Sequence, residues 1–181
     1  MLGGRAARTG GEDLPPSLME VVAARAADHP ERTIYRIFEA TDGPPTSITA
    51  AALHAQALGV GRHLARDLAP GSRVLLPLPP GRAFVLGFLG CTAAGLVPVP
   101  APAPSRTRLR QSLRPLARIA TDCEPRAVLS TRVIADAVAD GLDPSDPLRT
   151  ISWHHIEDAV RDLCKAFKDG NATATLFAFS M

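Results

Sequence analysis

Between Arg82 and Arg106 the chain carries no charged residue, and Phe84-Val85-Leu86-Gly87-Phe88-Leu89 makes the start of that stretch strongly apolar. Such a segment must be buried, either in a bilayer or in a protein core. Spanning a bilayer takes roughly 20 apolar residues in one helix. Here Gly95, and then Pro98, Pro100, Pro102 and Pro104, interrupt the stretch after about three helical turns. The pattern therefore predicts a buried helix, a tight turn and a buried strand of a soluble domain, with no membrane span.

The flanking sequence repeats this strand–helix alternation. Ser17 is placed to cap a first helix, with Glu20 completing a capping box and Leu18, Val21, Val22 and Arg25 at helical spacing up to Asp28. Thr33 to Phe38 reads as a strand, Asp42-Gly43-Pro44-Pro45 as a turn and Thr46 to Ile48 as the return strand of a hairpin. Thr49 can cap the next helix, Ala50 to Asp67, with Leu53, Ala57, Val60 and Leu64 on one face.

Strands are expected at Arg73–Leu78, Leu96–Val99, Ala127–Ser130, Arg149–Trp153 and Thr175–Phe179. Helices are expected at Ala83–Ala94, Thr107–Thr121 (with Pro115 inside), Arg132–Asp140 and Ile156–Lys168. Apolar strands alternating with helices imply an α/β fold: a mostly parallel sheet with helices on both faces, preceded by a β-hairpin. The 181 residues suffice for one such domain or a little more. Three segments are expected: a disordered Gly-rich stretch over 1–15, the α/β unit over 16–160 and a divergent tail over 161–181. The tail holds both lysines and three of the six phenylalanines but no proline. Chance, or a foreign or out-of-frame junction, would give such a shift.

Composition excludes several function classes. A net charge of +2 is too near zero to imply nucleic acid or an acidic membrane. Aromatic residues at 4% leave no stacking platform for single strands. Cys91, Cys123 and Cys164 are odd in number and far apart, which argues against a disulfide framework or zinc ribbon and suits a cytoplasmic protein. The N-terminus has no apolar secretory core.

No candidate constellation carries chemistry. His154 and His155 are adjacent on a strand, so they point to opposite faces and cannot share a metal. Gly59-Val60-Gly61 lies within a helical pattern, and Leu64 stands where a dinucleotide fingerprint needs its third glycine. Asn171-Ala172-Thr173 is a glycosylation sequon without a secretory signal. Arg106, Arg108, Arg110, Arg114 and Arg118 form the densest basic cluster, the last three as one helical stripe. That stripe reads either as a solvated face or as a dock for an acidic partner such as a carrier protein. Catalytic, cofactor-binding and metal-binding residues are thus all expected to be absent.

One segment is more specific. Pro70-Gly71-Ser72-Arg73-Val74-Leu75-Leu76 leads into Pro79-Pro80-Gly81, Phe84, Phe88-Leu89-Gly90-Cys91, Ala94-Gly95 and Pro98-Val99-Pro100-Ala101-Pro102. This run resembles the first part of the adenylate-forming superfamily, most closely its fatty-acyl-AMP ligases. Pro30-Glu31-Arg32-Thr33, Ile119-Ala120-Thr121-Asp122 and Ala127-Val128-Leu129-Ser130-Thr131 extend the resemblance over about residues 17–158. Ala50 and Ala52 depart from the family's frequent Tyr and Glu, at positions that are structural.

The resemblance implies activation of a fatty acid with ATP and Mg²⁺ to an acyl-adenylate, followed by transfer to an acyl carrier protein in polyketide or lipopeptide assembly. It implies that the chain is truncated before the phosphate-binding loop, without the adenine-binding segment or the catalytic Lys, and inactive alone. Ser180-Met181 end the sequence where that loop would begin. No cofactor is then expected for the chain itself, and an exposed sheet edge would favour self-association. Two alternatives stay open: a non-catalytic binding module that docks a carrier protein, and part of an acyl-CoA ligase or amino-acid adenylation domain.

Overall fold

The computed structural model describes residues 17–38, 44–143 and 146–168. The N-terminal segment, the Asp42-Gly43 part of the hairpin turn and the expected strand at Thr175–Phe179 lie outside the described residues. The elements run α1 (Leu18–Asp28), β1 (Thr33–Ile37), β2 (Thr46–Thr49), α2 (Ala50–Leu64), β3 (Arg73–Pro77), α3 (Arg82–Ala93) and β4 (Val97–Ala101). After a 3₁₀ turn at Arg106–Arg108 come α4 (Leu109–Cys123), β5 (Ala127–Ser130) and α5 (Arg132–Gly141). A second 3₁₀ turn, Pro147–Arg149, precedes β6 (Ser152–His155) and α6 (Ile156–Lys168).

β1 and β2 pair antiparallel, and the other strands form one parallel sheet in the order β4-β3-β5-β6. The crossover through α3 carries the chain one way across the sheet, and those through α4 and α5 carry it back. Right-handed crossovers then require α3 on one face and α4 and α5 on the other. The core divides accordingly. Val74, Leu76 and Leu129 point to the face covered by α1, α2, α3 and α6. Leu75 and Val128, one residue out of phase, point to α4 and α5. This is the period-2 alternation of a sheet buried on both sides.

Local signals set the helix starts. Ser17 and Glu20 form the expected reciprocal cap of α1, and the Thr49 and Thr131 hydroxyls accept from the Ala52 and Ile134 amides at the starts of α2 and α5. Leu53, Ala57, Val60 and Leu64 of α2 are all buried. The uncharged segment becomes α3 and β4, and no helix among the described residues is long and apolar enough to cross a membrane.

Two expectations are corrected. The strand expected to start at Arg149 starts instead at Ser152 and takes in both histidines. Arg149 is held in the 3₁₀ turn, where the Asp146 carboxylate accepts from the Leu148 amide at 2.9 Å and the Arg149 guanidinium donates to the Leu142 carbonyl at 2.8 Å. The expected helix from Thr107 opens as a 3₁₀ turn, and α4 proper begins at Leu109.

The prolines of β4 give the sheet an unusual border. The Val97 amide donates to the Ser72 carbonyl of the neighbouring chain segment at 2.9 Å. By strand alternation Val99 and Ala101 also face β3, so Pro98 and Pro100 face outward, where they have no N–H to offer.

The tightest contact joins α2 to α3. A Cβ built on Gly90 would stand 2.5 Å from Val60 Cγ1 and 2.6 Å from Val60 Cβ, and one on Gly61 would stand 2.8 Å from the Gly90 carbonyl oxygen. Gly59-Val60-Gly61 thus serves close helix packing. Gly90→Ala should destabilise the fold by about 2 kcal/mol, because overpacking outweighs the helix propensity that alanine adds. Gly87→Ala, whose Cβ would meet only the flexible ends of Leu78 and Leu129 at 3.1 and 3.2 Å, should be much milder. Urea denaturation of the two variants measures the difference.

Candidate functional site

Ligands of parallel α/β sheets sit outside the carboxyl ends of the strands, where neighbouring crossovers diverge to opposite faces. In this chain that place lies between β3, which leads to α3, and β5, which leads to α5. The segment after β3 is Leu78-Pro79-Pro80-Gly81. Gly81 has φ 144° and ψ −162°, a conformation open only to glycine, and it turns the chain sharply into α3. A Cβ built on Gly81 would stand 3.9 Å from Ile37 Cγ2, so the end of β1 lies beside this loop.

The hydroxyls at this edge are committed to structure. Ser130 is buried and donates to the Pro77 carbonyl at 3.3 Å, tying the end of β5 to the end of β3. Thr131 caps α5. Beyond them lies a charged rim. The Glu157 carboxylate accepts from the Arg132 amide at the start of α5, at 3.2 Å from either oxygen. Asp158 lies 2.8 Å from Arg132, 2.7 Å from Arg161 and 3.5 Å from His155 Nδ1. Burial raises the Asp158 pKa, but Arg132, Arg161 and His155 outweigh it and leave the carboxyl below its usual range.

A second polar cluster fastens α6 to α2. The Arg66 guanidinium donates to the Asp162 carboxylate at 2.7 Å, and His63 Nδ1 lies 3.3 Å from the same oxygen. The His63 and His154 rings meet edge to face, with centroids 5.6 Å apart. Burial pushes the His154 imidazole below its ordinary range, helped by nearby His63 and His155 and opposed by Asp67. Ser152 Oγ is 3.5 Å from His154 Nε2, at the outer limit of a hydrogen bond, and among the described residues no carboxylate hydrogen-bonds to that ring. A nucleophile–base–acid triad is therefore not assembled here.

As adjacent strand residues must, His154 turns toward α2 and His155 toward Asp158. Among the described residues no group of three His, Cys, Asp or Glu side chains could hold a metal. Cys91 and Cys123 are both free, and burial pushes the Cys91 thiol up to about 12. The carboxylates of both clusters are engaged, Asp158 and Asp162 by arginines and Glu157 by the amide at the start of α5. Arg108, Arg110, Arg114 and Arg118 are exposed on α4 and the turn before it. Sequence spacing missed both carboxylate clusters, because Asp162 meets residues nearly a hundred positions away in the chain. The local signs were Asp158 with Arg161 and His155 with Asp158, each pair three residues apart.

A hairpin followed by a four-stranded parallel sheet with helices on both faces, its carboxyl edge bordered by a glycine turn, is the N-terminal subdomain architecture of adenylate-forming enzymes. Residues 22–174 match the AMP-binding enzyme family. The chain is 29% identical over 125 residues to a long-chain-fatty-acid–AMP ligase of Mycobacterium bovis, a match that covers 68% of this chain and 21% of that protein. It is 25% identical over 143 residues to Disco-interacting protein 2 homolog B-A of Danio rerio, covering 78% of this chain and 9% of that one.

A fatty acyl-adenylate ligase from Legionella pneumophila, solved with acyl adenylate and pyrophosphate, superposes with a TM-score of 0.65 at 26% identity, over 81% of this chain and 24% of that one. The chain belongs to the AMP-binding enzyme family, whose members are ATP-dependent, and spans about a quarter or less of the length of these three relatives.

The His154 environment sets a pH dependence. Its unfolded pKa is near 6.5 and its folded pKa is lower, so the unfolded state takes up the proton first. The stability tied to neutral His154 is complete above the unfolded value and is lost as the pH falls below it. Melting temperature should be flat above about pH 7 and decline as the pH falls through the unfolded value, and His154→Gln should lessen the decline. Thermal melts across that range check both outcomes.

Proposed function

We propose that this chain forms the first part of the large domain of a fatty-acyl-AMP ligase. The observation that carries the reading is the likeness to the Legionella fatty acyl-adenylate ligase, at 26% identity over 81% of this chain. The Pro79-Pro80-Gly81 loop, the Gly90-Cys91 pair and the Pro100-Ala101-Pro102 run support the same branch.

In the proposed reaction a fatty-acid carboxylate oxygen attacks the α-phosphorus of ATP. The new O–P bond gives the acyl-adenylate, and pyrophosphate leaves. The phosphopantetheine thiol of an acyl carrier protein then attacks the acyl carbon, giving a thioester and AMP, with the thiol proton passing to solvent. Mg²⁺ supplies charge neutralisation at the phosphates.

The described residues take a scaffolding part in this scheme. They hold the carboxyl ends of β3 and β5 together through Ser130 and set the Gly81 turn, but they offer no donor set for the triphosphate. The 181 residues alone are accordingly inactive, and the activity belongs to a longer polypeptide.

The test compares that longer polypeptide with residues 1–181 alone, using fatty-acid-dependent pyrophosphate exchange and then thioester formation on holo-acyl carrier protein or CoA. The longer protein should exchange pyrophosphate with fatty acids and acylate the carrier but not CoA, while the 181 residues alone should show no exchange. CoA thioester as the main product, or exchange driven by amino acids instead of fatty acids, would overturn the reading.

A further inference from the structure

The arginines of α4 remain outside every cluster described so far. No carboxylate occurs in the sequence between Asp67 and Asp122, so Arg106 to Arg114 have no acidic neighbour within a helical turn along the chain, and Arg118 has only Asp122, one turn further on α4. Arg66, Arg73, Arg132 and Arg161 each reach a carboxylate, whereas Arg108, Arg110, Arg114 and Arg118 are exposed and form no ion pair among the described residues.

Arg110, Arg114 and Arg118 follow one another at four-residue spacing along α4, opposite neither Leu113 nor Leu116 but beside the outward face. Four residues rise about 6 Å, so the row is about 12 Å long. Carboxylates one turn apart on another helix repeat at the same interval, and each guanidinium can bind one of them with two parallel hydrogen bonds.

From this match we infer that the Arg110–Arg114–Arg118 edge of α4 docks an acidic helix of the protein that accepts the acyl group. The inference rests on the proposed function for the identity of that protein. A lipid surface fits poorly, because α4 exposes no large apolar residue to insert beside its charges. A duplex fits poorly too, since a row of three cations with a net charge of only +2 engages too few phosphates.

The experiment measures, in the longer polypeptide, adenylate formation and acyl transfer separately, for the wild type and for R110E/R114E. The half-saturating concentration of holo-acyl carrier protein should rise at least tenfold and lose most of its dependence on salt, while adenylate formation stays unchanged. R110Q/R114Q, which removes charge without reversing it, should fall between, and unchanged melting temperatures show that both variants fold.

Normal transfer with an unchanged half-saturating concentration overturns the docking surface alone. Failure of the wild type to acylate any carrier protein overturns it together with the proposed function. Loss of binding to phosphatidylglycerol vesicles in R110E/R114E, with carrier use unaffected, would assign the stripe to a membrane instead and also overturn the inference.

Discussion

The rest of the structure hangs on the contact between Val60 and Gly90. α3 lies directly on the parallel sheet, and α2 packs along α3 and meets the sheet itself where His63 touches His154 of β6. α1 and α6 in turn pack on α2, and the hairpin is joined to it through Thr49. Moving α2 outward by the width of one methyl group would disturb all of them. The absence of a side chain at Gly90, and at Gly61 opposite, lets the two helix backbones come close enough for Leu53, Val60 and Leu64 to be fully buried. Each such side chain contributes about 1.5–3 kcal/mol when removed from water, so the two glycines act through their neighbours' burial.

Much of this was legible in the residues. The parallel sheet follows from apolar strands alternating with helices, and the capping residues Ser17 and Thr49 mark helix starts by chemistry that acts within four positions. Ala127–Ser130 and Ile156–Lys168 have the expected bounds for the same reason. The strand at Ser152 was misplaced because Asp146, Leu142 and Arg149 compete for the backbone through side-chain hydrogen bonds that no apolar periodicity reports. The polar clusters were less accessible still. Asp162 with Arg66 and His63, and Asp158 with Arg132, depend on how α6 lies against α2 and α5, which is a property of the packed layers.

At the carboxyl edge of the sheet the described polar groups are engaged with one another. At the carboxyl ends of β3 and β5, where a parallel sheet offers its binding crevice, the hydroxyls of Ser130 and Thr131 are spent on a carbonyl and a helix cap. Asp158, Glu157 and Asp162 are neutralised by arginines or by a helix amino end. These groups make a stiff platform. In the proposed reading, substrates are held by groups elsewhere in a longer chain, and the platform keeps the crevice floor in register.

The border formed by Pro98 and Pro100 gives the sheet a polarity of assembly. A strand arriving beside β4 meets carbonyl groups but no amides, so it can complete only half of each hydrogen-bonded repeat and leaves its own carbonyls without partners. Lateral recruitment through main-chain pairing is thereby refused on this flank whatever the side chains of the incoming strand. A neighbour that settles there must bring donors on side chains, which makes that flank a selective joint between folded units.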